Sequence, residues 1–411
     1  MKDTLFIQFY GQTGSGWFDL CNGFSDTFDL CRSKGDFLWV PLEQDTDQWY
    51  DESTYLPISL PIKKGTVYVS ASYVNQLYQA YLWAVQYPDI HFIVGGPVAS
   101  ERHAAAPGWH SVHFKVEQPL PPNLVLTGQS VESLFGVPEF SGRWHLEVPK
   151  QIPENSRIYF SYTLENQCYW KKCPFCSIAQ HASEHFRKRK VLDLAFTELD
   201  YTGHKIVRLN TGSMTPEHIR KILPLLPVRP DMEYRFFMRA AAAETRAMEA
   251  AVSGMKGGVP DCTLGFGIEF PSNRMWQYLN KGTRMDEVIK TLAFCTKTGF
   301  KVNANVILGW NNLVEQDLLD LEAFMKNLSA QTVTTLQLRW LFAHPYTKIH
   351  DTYDGGENSI RLGPFNCGFN VRVNPEQQDL NLRAARIMKT ICEEKGIALQ
   401  GYKNLNKGQA A

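Results

Sequence analysis

The 411-residue sequence lacks an excess of charge of either sign, and it lacks a long apolar run. Lysine plus arginine total 42, as do aspartate plus glutamate, so no long-range positive field would draw the chain to DNA or RNA. No window approaches the roughly 20 apolar residues of a transmembrane helix. The N-terminal run Met1–Tyr10 is interrupted by polar residues, which favours a first β-strand over a secretion signal. We therefore expect a soluble protein without nucleic-acid or membrane partners.

The cysteine count excludes a further class. Nine cysteines, an odd number, in a chain without a recognisable export signal do not suggest a framework of disulfides. In a reducing compartment thiols serve instead as metal ligands or reagents. The expected location is the cytoplasm.

The first part of the chain alternates strand-like and helix-like segments. Thr66–Ala71 and His91–Pro97 are β-rich and flank an amphipathic stretch at Val74–Gln86, and Leu124–Gly128 follows as a third strand. This order is typical of a doubly wound α/β unit. We predict a Rossmann-like domain over residues 1–150.

A second series of strand-then-helix units begins at Arg157. Six units in succession fit a partial (β/α)₆ barrel of the TIM type better than a complete eight-unit barrel. We place this barrel at residues 155–350 and a C-terminal extension, a loop and a helix from about Pro375 to Lys395, at residues 351–411. The predicted barrel strands are Arg157–Tyr162, Lys205–Asn210, Glu233–Arg239, Thr263–Phe270, Lys301–Leu308 and Val333–Leu341.

Three cysteines directly after the first barrel strand give the strongest chemical indication. Cys168, Cys173 and Cys176 lie on one short loop, so three thiolates could each bind one iron of a [4Fe–4S] cubane and leave the fourth iron open to a chelating molecule. A tetrahedral zinc site with His181 as fourth ligand uses the same cysteines and is the alternative. In that case the chain would be a non-enzymatic zinc-binding protein.

The loop resembles that of the radical S-adenosylmethionine (SAM) superfamily, whose usual spacing is Cys-x₃-Cys-x₂-Cys with an aromatic residue before the last cysteine. Phe175 occupies that aromatic position and is expected near the adenine of SAM. The sequence departs from the family by one extra residue between Cys168 and Cys173, which must bulge. The resemblance implies an enzyme that cleaves SAM reductively to a 5′-deoxyadenosyl radical, with an electron donor such as flavodoxin or ferredoxin.

Downstream segments extend the resemblance over most of Arg157–Thr347. Gly265–Asn273, followed by Leu279–Gly282, is similar to the fourth-strand region in which a glutamate approaches SAM, so Glu269 is the expected polar contact. A helix cap is the alternative role for an acid at this place. The segment that contains Asn305 and Ile307 is similar to the fifth strand, which supports the adenine in the family.

The ends of the second and third barrel strands complete the expected SAM site. Thr211 or Ser213 stands where the family binds the methionine amino group with a Gly-Gly-Glu-like motif, although the glutamate is missing here. Arg239 could pair with the methionine carboxylate through a bidentate fork, or could form an ordinary surface ion pair.

The N-terminal domain resembles the cobalamin-binding domain that precedes many radical SAM methyltransferases. The likeness rests on Val69–Ser72, Ile93–Pro97 and Thr127–Glu132, but the Asp-x-His-x-x-Gly stretch that supplies the lower cobalt ligand in many such domains is absent from the first 70 residues. Cobalamin-dependent C-methylation is therefore one expected reaction, with cobalamin as a further cofactor.

Radical SAM peptide epimerases of the proteusin type also resemble this architecture. They convert L-residues to D-residues in a ribosomally made peptide and need a thiol outside the cluster as hydrogen donor. Cys367, in a glycine-flanked loop, is the candidate catalytic residue, unless it is a core cysteine, as Cys262, Cys295 and Cys392 are expected to be. We expect epimerisation first and methylation second, on a peptide or small-molecule substrate.

Overall fold

The computed structural model describes residues 3–12, 18–20, 28–42, 59–71, 74–96, 99, 120–127, 148–176, 201, 203–344, 347–353 and 369–402. The chain divides into two compact units. The first consists of Met1–Glu165, Ser183–Leu209 and Arg361–Cys367. The second consists of Asn166–Ala182, Asn210–Ile360 and Gly368–Ala411.

A parallel five-stranded sheet forms the N-terminal part of the first unit, in the order β3-β1-β4-β5-β6. The short strand β2 pairs antiparallel with β1. The elements are β1 (Thr4–Gln12), β2 (Phe18–Asp19), α1 (Phe28–Lys34), β3 (Asp36–Pro41), β4 (Gly65–Ser70), α2 (Val74–Gln86), β5 (Ile90–Gly95) and β6 (Leu124–Leu126).

Helix α2 covers this sheet with one apolar face. Leu77, Ala80, Tyr81 and Ala84 recur at helical spacing and are all buried. Beyond the helix, Asn123 donates hydrogen bonds from its side-chain amide to three backbone carbonyls, those of Ala84, Tyr87 and Ile90, and so joins the end of α2 to the start of β5. The predicted strand-helix-strand unit and the third strand β6 are confirmed, whereas α1 and β3 are elements that the sequence analysis did not identify.

Seven parallel strands form the half-barrel, in the order β7-β8-β9-β10-β11-β12-β15. The division between the two units falls within β7 and β8. The strands are β7 (Ile158–Cys168), β8 (Lys205–Ser213), β9 (Met232–Met238), β10 (Cys262–Glu269), β11 (Lys301–Leu308), β12 (Val333–Trp340) and β15 (Ala398–Gln400), beside an antiparallel pair β13 (Phe342–Ala343) and β14 (Phe369–Asn370).

Helices follow the half-barrel strands along the chain, and none in the described part is long and apolar enough to cross a membrane. A 3₁₀ turn at Leu223–Leu225 follows the first of them. The helices are α3 (Pro216–Ile222), α4 (Ala242–Ser253), α5 (Asn273–Tyr278), α6 (Met285–Thr298), α7 (Glu315–Lys326), α8 (Lys348–Tyr353) and α9 (Pro375–Lys395).

The six predicted barrel strands are confirmed as β7 to β12, and the structure adds a seventh. Strand β15 pairs parallel with β12, so the segment predicted to be an extension completes the sheet. The predicted helix is confirmed as α9, which begins after the N-cap Asn374 and ends at Gly396 in the left-handed conformation.

Helix α9 also fixes the loop after β11. The Asn381 side chain is fully buried; its Oδ1 accepts hydrogen bonds from the backbone amides of Gly309 (2.7 Å) and Trp310 (3.2 Å), and its Nδ2 donates to the Trp310 carbonyl (2.9 Å). One amide side chain therefore satisfies three backbone groups at the carboxyl end of a barrel strand.

We predict that Asn381→Ala lowers the free energy of unfolding by about 2 to 3 kcal/mol, because buried backbone groups lose their partners. Urea denaturation would measure the loss. Asn327→Ala is the control, since that exposed amide bonds only to the Ala323 carbonyl of its own helix, and its effect should stay within about 0.5 kcal/mol. Equal losses for the two variants would contradict the assigned role of Asn381.

Candidate functional site

The cysteine loop starts at the carboxyl end of β7, of which Cys168 is the last residue. Cys173 is buried, whereas Cys168 and Cys176 are partly exposed, and the Cys176 amide donates to the Cys173 carbonyl (3.4 Å). Lys171 adopts a left-handed backbone conformation with φ of 51°. This turn lies inside the four-residue spacer between Cys168 and Cys173, which is one residue longer than usual and was expected to bulge.

The three thiols interact electrostatically with one another and with an ion pair. Burial raises the pKa of Cys173 to about 11; Lys281 opposes that rise, whereas Cys176, Glu269 and Cys168 add to it. The charge state of Cys173 therefore depends on the two other cysteines of the loop. A thiol must lose its proton to bind iron, and a nearby cation favours that loss.

The ion pair joins Lys281 to Glu269. Lys281 Nζ lies 2.5 Å from Glu269 Oε1, and both side chains are almost fully buried. Gly267 makes room for the pair, because a Cβ at that position would lie 2.3 Å from Glu269 Oε1 and 2.8 Å from Lys281 Nζ. Burial alone would lower the pKa of Lys281, yet that pKa lies above its ordinary value because Glu269, Cys173 and Cys176 favour the ammonium form.

Glu269 was predicted to contact SAM, and that role stays a prediction. The structure adds that its carboxylate has a cationic partner, which the sequence analysis missed although Lys281 lies in the quoted Leu279–Gly282 segment. Glu269 has φ of 61°, at an irregularity in the pairing of β10 with β11. The strand therefore ends in a conformation that a non-glycine residue rarely adopts.

Arg239 follows β9 and holds the cysteine loop through several contacts. Its Nη1 donates to the Tyr169 hydroxyl (3.1 Å), and its Nη2 donates to the carbonyls of Lys281 (3.1 Å) and Gly282 (2.5 Å). The guanidinium carbon lies 3.8 Å from the centroid of the Trp170 ring. Arg239 is thus buried rather than part of a surface ion pair. Its Nε is buried without a hydrogen-bond partner among the described residues.

Glu244, at the start of α4, is a buried acid that the sequence analysis did not identify. It accepts a hydrogen bond from the Tyr169 hydroxyl, and its Oε1 lies 3.7 Å from Arg239 Nη1. Its Oε2 is buried without a partner in the described part of the chain. Burial, helped by the charge of Glu287, raises the pKa of Glu244 to about 7. In the sequence it is a single acid after four alanines, a pattern that carries no chemical indication.

Two further predicted positions end β8. Thr211 and Ser213 are both buried, and the Ser213 amide donates to Thr211 Oγ1 (3.3 Å). The Ser213 hydroxyl is buried without a partner in the part of the chain that the structure describes. Among residues that the sequence predicted to bind SAM, Ser213 Oγ and Arg239 Nε are therefore polar atoms with capacity to spare for a ligand.

The structure brings the aromatic residue of the cysteine loop to the end of β11. The Phe175 ring packs edge-on against Trp310 with a centroid distance of 6.0 Å, and Trp310 Nε1 donates to the Ile307 carbonyl (2.7 Å). Asn305 and Ile307 share one face of β11, because the buried residues alternate with them. The three residues predicted to support the adenine thus belong to neighbouring segments.

Some predicted residues fall outside the described part of the chain. Cys367, the candidate hydrogen donor, and His181, the alternative zinc ligand, are among them. Within the described residues, no group of three histidine, cysteine or acidic side chains is arranged to hold a single metal ion. A cubane makes a different demand, because each cysteine binds its own iron. The loop offers three separate thiols, one for each of three irons, and Lys281 and Arg239 act on them electrostatically.

No family model matches the sequence, and no curated protein matches it. Solved structures do. The methyltransferase TsrM from Kitasatospora setae, a radical SAM enzyme with cobalamin and a [4Fe–4S] cluster bound, matches with a TM-score of 0.56 at 10% identity, over 99% of this chain and 98% of its own. OxsB, a cobalamin-dependent SAM radical enzyme with aqua-cobalamin and SAM bound, matches with a TM-score of 0.54 at 11% identity. That match covers 93% of this chain and 66% of OxsB.

The chain therefore has the fold of cobalamin-dependent radical SAM enzymes, with the five-stranded parallel sheet and the seven-stranded half-barrel in one chain. The predicted α/β architecture is confirmed. At identities of 10% and 11%, these matches show that the fold is shared and do not show the role of any site residue.

We predict that Lys281→Met lowers the free energy of unfolding by about 3 kcal/mol, because it leaves Glu269 buried without its cation. Thermal and urea denaturation would measure this. Lys301→Met is the matched control: that lysine pairs with Asp261 at 3.0 Å, but both side chains are 43% exposed, so the expected loss is below about 1 kcal/mol. A loss as small as that of the control would contradict the importance of the buried pair.

We also predict a pH dependence from Glu244. Its raised pKa means that the folded protein binds this proton more tightly than the unfolded chain, so the stabilisation is complete below the ordinary carboxyl pKa and is lost as pH rises through about 7. Relative to Glu244→Gln, the wild type should lose about 2 kcal/mol of unfolding free energy between about pH 5 and 8.

The control for this measurement is Glu249→Gln, on the exposed side of the same helix. Its stability should follow the wild type across the pH range. A constant difference between wild type and Glu244→Gln at all pH values would show that Glu244 does not titrate in this window.

Proposed function

We propose that this protein is a cobalamin-dependent radical SAM methyltransferase. The observation that carries the proposal is the likeness to TsrM over nearly the whole of both chains, so that the N-terminal sheet and the half-barrel are matched together. A second TsrM structure, with tryptophan and a SAM analogue bound, matches with a TM-score of 0.55. The cysteine loop at the end of β7 supports the same class of enzyme.

The residues of the half-barrel fit a cluster and SAM. Cys168, Cys173 and Cys176 would bind three irons of a [4Fe–4S] cluster, which when present supplies one electron to SAM. Lys281 offsets the negative charge of the thiolates. Arg239 offers its free Nε–H to a carboxylate.

Two further groups would complete the SAM site. The Ser213 hydroxyl would meet the amino group of SAM, and Phe175 with Trp310 provides an apolar wall for the adenine. An apolar wall and a few buried polar atoms are typical of a cofactor pocket.

The carboxyl edge of the N-terminal sheet fits a bound cofactor as well. The Ser70 hydroxyl, at the end of β4, is buried without a partner in the described residues. Gly96, after β5, has φ of 106°, and a Cβ there would lie 2.1 Å from the Ala71 carbonyl oxygen. Parallel α/β sheets bind ligands at this edge. We assign cobalamin to this edge, without a histidine from the first 70 residues as cobalt ligand.

Peptide epimerisation was the first expectation from the sequence, and the comparisons favour the methyltransferase instead. The epimerase hypothesis depends on Cys367, which lies outside the described residues. The acceptor of the methyl group, peptide or small molecule, and the electron donor, flavodoxin or ferredoxin, belong to this proposal as partners to be identified.

The test is anaerobic reconstitution with iron, sulfide and cobalamin, followed by incubation with methyl-labelled SAM and a reductant. We expect about four irons per chain, a cobalamin absorption spectrum, and S-adenosylhomocysteine with or without 5′-deoxyadenosine. The triple variant Cys168→Ala, Cys173→Ala, Cys176→Ala should bind no cluster. Cys392→Ala, a cysteine buried in α9, is the control that should keep its iron.

Each other outcome selects another hypothesis. Iron and 5′-deoxyadenosine without cobalamin, together with D-residues in a peptide, would support the epimerase and make Cys367→Ala the next variant. Zinc in place of iron would support the non-enzymatic protein.

A further inference from the structure

The spacer between the first two cysteines contains an indole, that of Trp170, which occupies space next to a glycine. A Cβ on Gly282 would lie 2.1 Å from Cζ2 and 2.3 Å from Cη2 of Trp170. Gly282 also has φ of 64°, a conformation that favours glycine. Position 282 therefore favours glycine for two reasons: a side chain there would overlap the Trp170 ring, and the backbone is left-handed.

The indole is also bonded to the same turn. Trp170 Nε1 donates to the Asn280 carbonyl (2.7 Å), and Asn280 has φ of 48°. The turn at 280–282 therefore offers a carbonyl to Trp170 Nε1 and, at Gly282, a position without a side chain beside Cζ2 and Cη2 of the same ring. Because Lys281 belongs to this turn, the indole also fixes the backbone that carries the buried ammonium.

Arg239 contacts both the Trp170 ring and the 280–282 turn. Its guanidinium lies over the Trp170 ring at 3.8 Å, while its Nη2 donates to the Lys281 and Gly282 carbonyls. A planar guanidinium over an aromatic face is stabilised by cation–π attraction, which is stronger where water is excluded. Trp170 thus touches both the turn and the arginine that the turn holds.

We propose that Trp170 is a positioning residue: its indole fastens the lengthened cysteine loop to the 280–282 turn and orients Arg239 so that the free Nε–H faces the carboxylate of SAM. The inference rests on the proposed function, because it takes SAM as the ligand. It gives the longer spacer between Cys168 and Cys173 an anchor, since Trp170 lies within that spacer.

The experiment uses the reconstituted holoenzyme and measures SAM affinity by the change that SAM causes in the electron paramagnetic resonance spectrum of the reduced cluster. Trp170→Ala should weaken SAM binding about tenfold or more. Trp170→Phe keeps the ring over which Arg239 stacks and should recover most of the affinity. Gly282→Ala should resemble Trp170→Ala, because the new methyl group displaces the indole.

The matched control is Tyr278→Ala, which removes an exposed aromatic ring at the end of α5, shortly before the same turn. It should bind SAM like the wild type. If Trp170→Ala does not fold, Trp170→Leu is compared with Trp170→Phe instead. The leucine variant should then bind SAM more weakly than the phenylalanine variant.

The outcomes separate this inference from the proposed function. A wild-type cluster whose spectrum does not respond to SAM would contradict the proposed function itself. A wild-type response combined with unchanged affinity in the Trp170 variants would overturn the positioning role alone. Equal affinities for Trp170→Leu and Trp170→Phe would do the same.

Discussion

The burial of Arg239 is the constraint on which the described site depends. A guanidinium away from water needs partners for its donors; here two backbone carbonyls and one hydroxyl accept from Nη1 and Nη2, and the Trp170 ring packs on the guanidinium, while Nε has no partner among the described residues. Those partners come from the cysteine loop and from the 280–282 turn. Because one side chain holds both segments, the position of the thiols and the position of Lys281 are linked.

Backbone strain is concentrated at the same place. Four non-glycine residues in the described part of the chain have positive φ, and three of them, Lys171, Glu269 and Asn280, belong to this site. Such conformations persist where the surroundings impose them, and they cost of the order of 1 kcal/mol or more each. Around Glu269 and Asn280, those surroundings are a buried ion pair and the Trp170 hydrogen bond. These strained conformations lower the stability of the fold, and the contacts around them keep the three residues in fixed positions.

Much of the fold was predictable because it depends on short-range patterns. Strands β7 to β12 have apolar runs or alternation that burial in a parallel sheet requires, and α9 has a cap at each end. Strand β15 has only three residues and pairs with a strand far away in the sequence, so no local pattern indicates it. Strand β3 was missed although its apolar run Phe37–Val40 is typical of a strand.

The residues of the candidate site also differ in whether the sequence alone could identify them. The cysteines could be found because three thiols at close spacing have few other uses, whereas Lys281 and Glu244 are ordinary charged residues in the sequence. Their chemistry arises from burial and from partners distant along the chain, as when Tyr169 meets Glu244 across 75 positions. The roles proposed for Ser213, Arg239 and Glu269 came from the sequence resemblance, whereas the burial and the partners of these residues became visible only in the structure.

Charge is distributed unevenly in a chain that is neutral overall. Lys171, Lys172, Arg239 and Lys281 all lie on or beside the cysteine loop, and three acids, Glu244, Glu269 and Glu287, act on the same site. Deprotonated thiols are negatively charged, so three thiolates would offset this excess of positive charge. Since Glu244 has a pKa raised to about 7, it is largely neutral at slightly acidic pH, and the excess of positive charge grows there. The excess of cations around the loop therefore favours negatively charged groups, such as the thiolate forms of its cysteines.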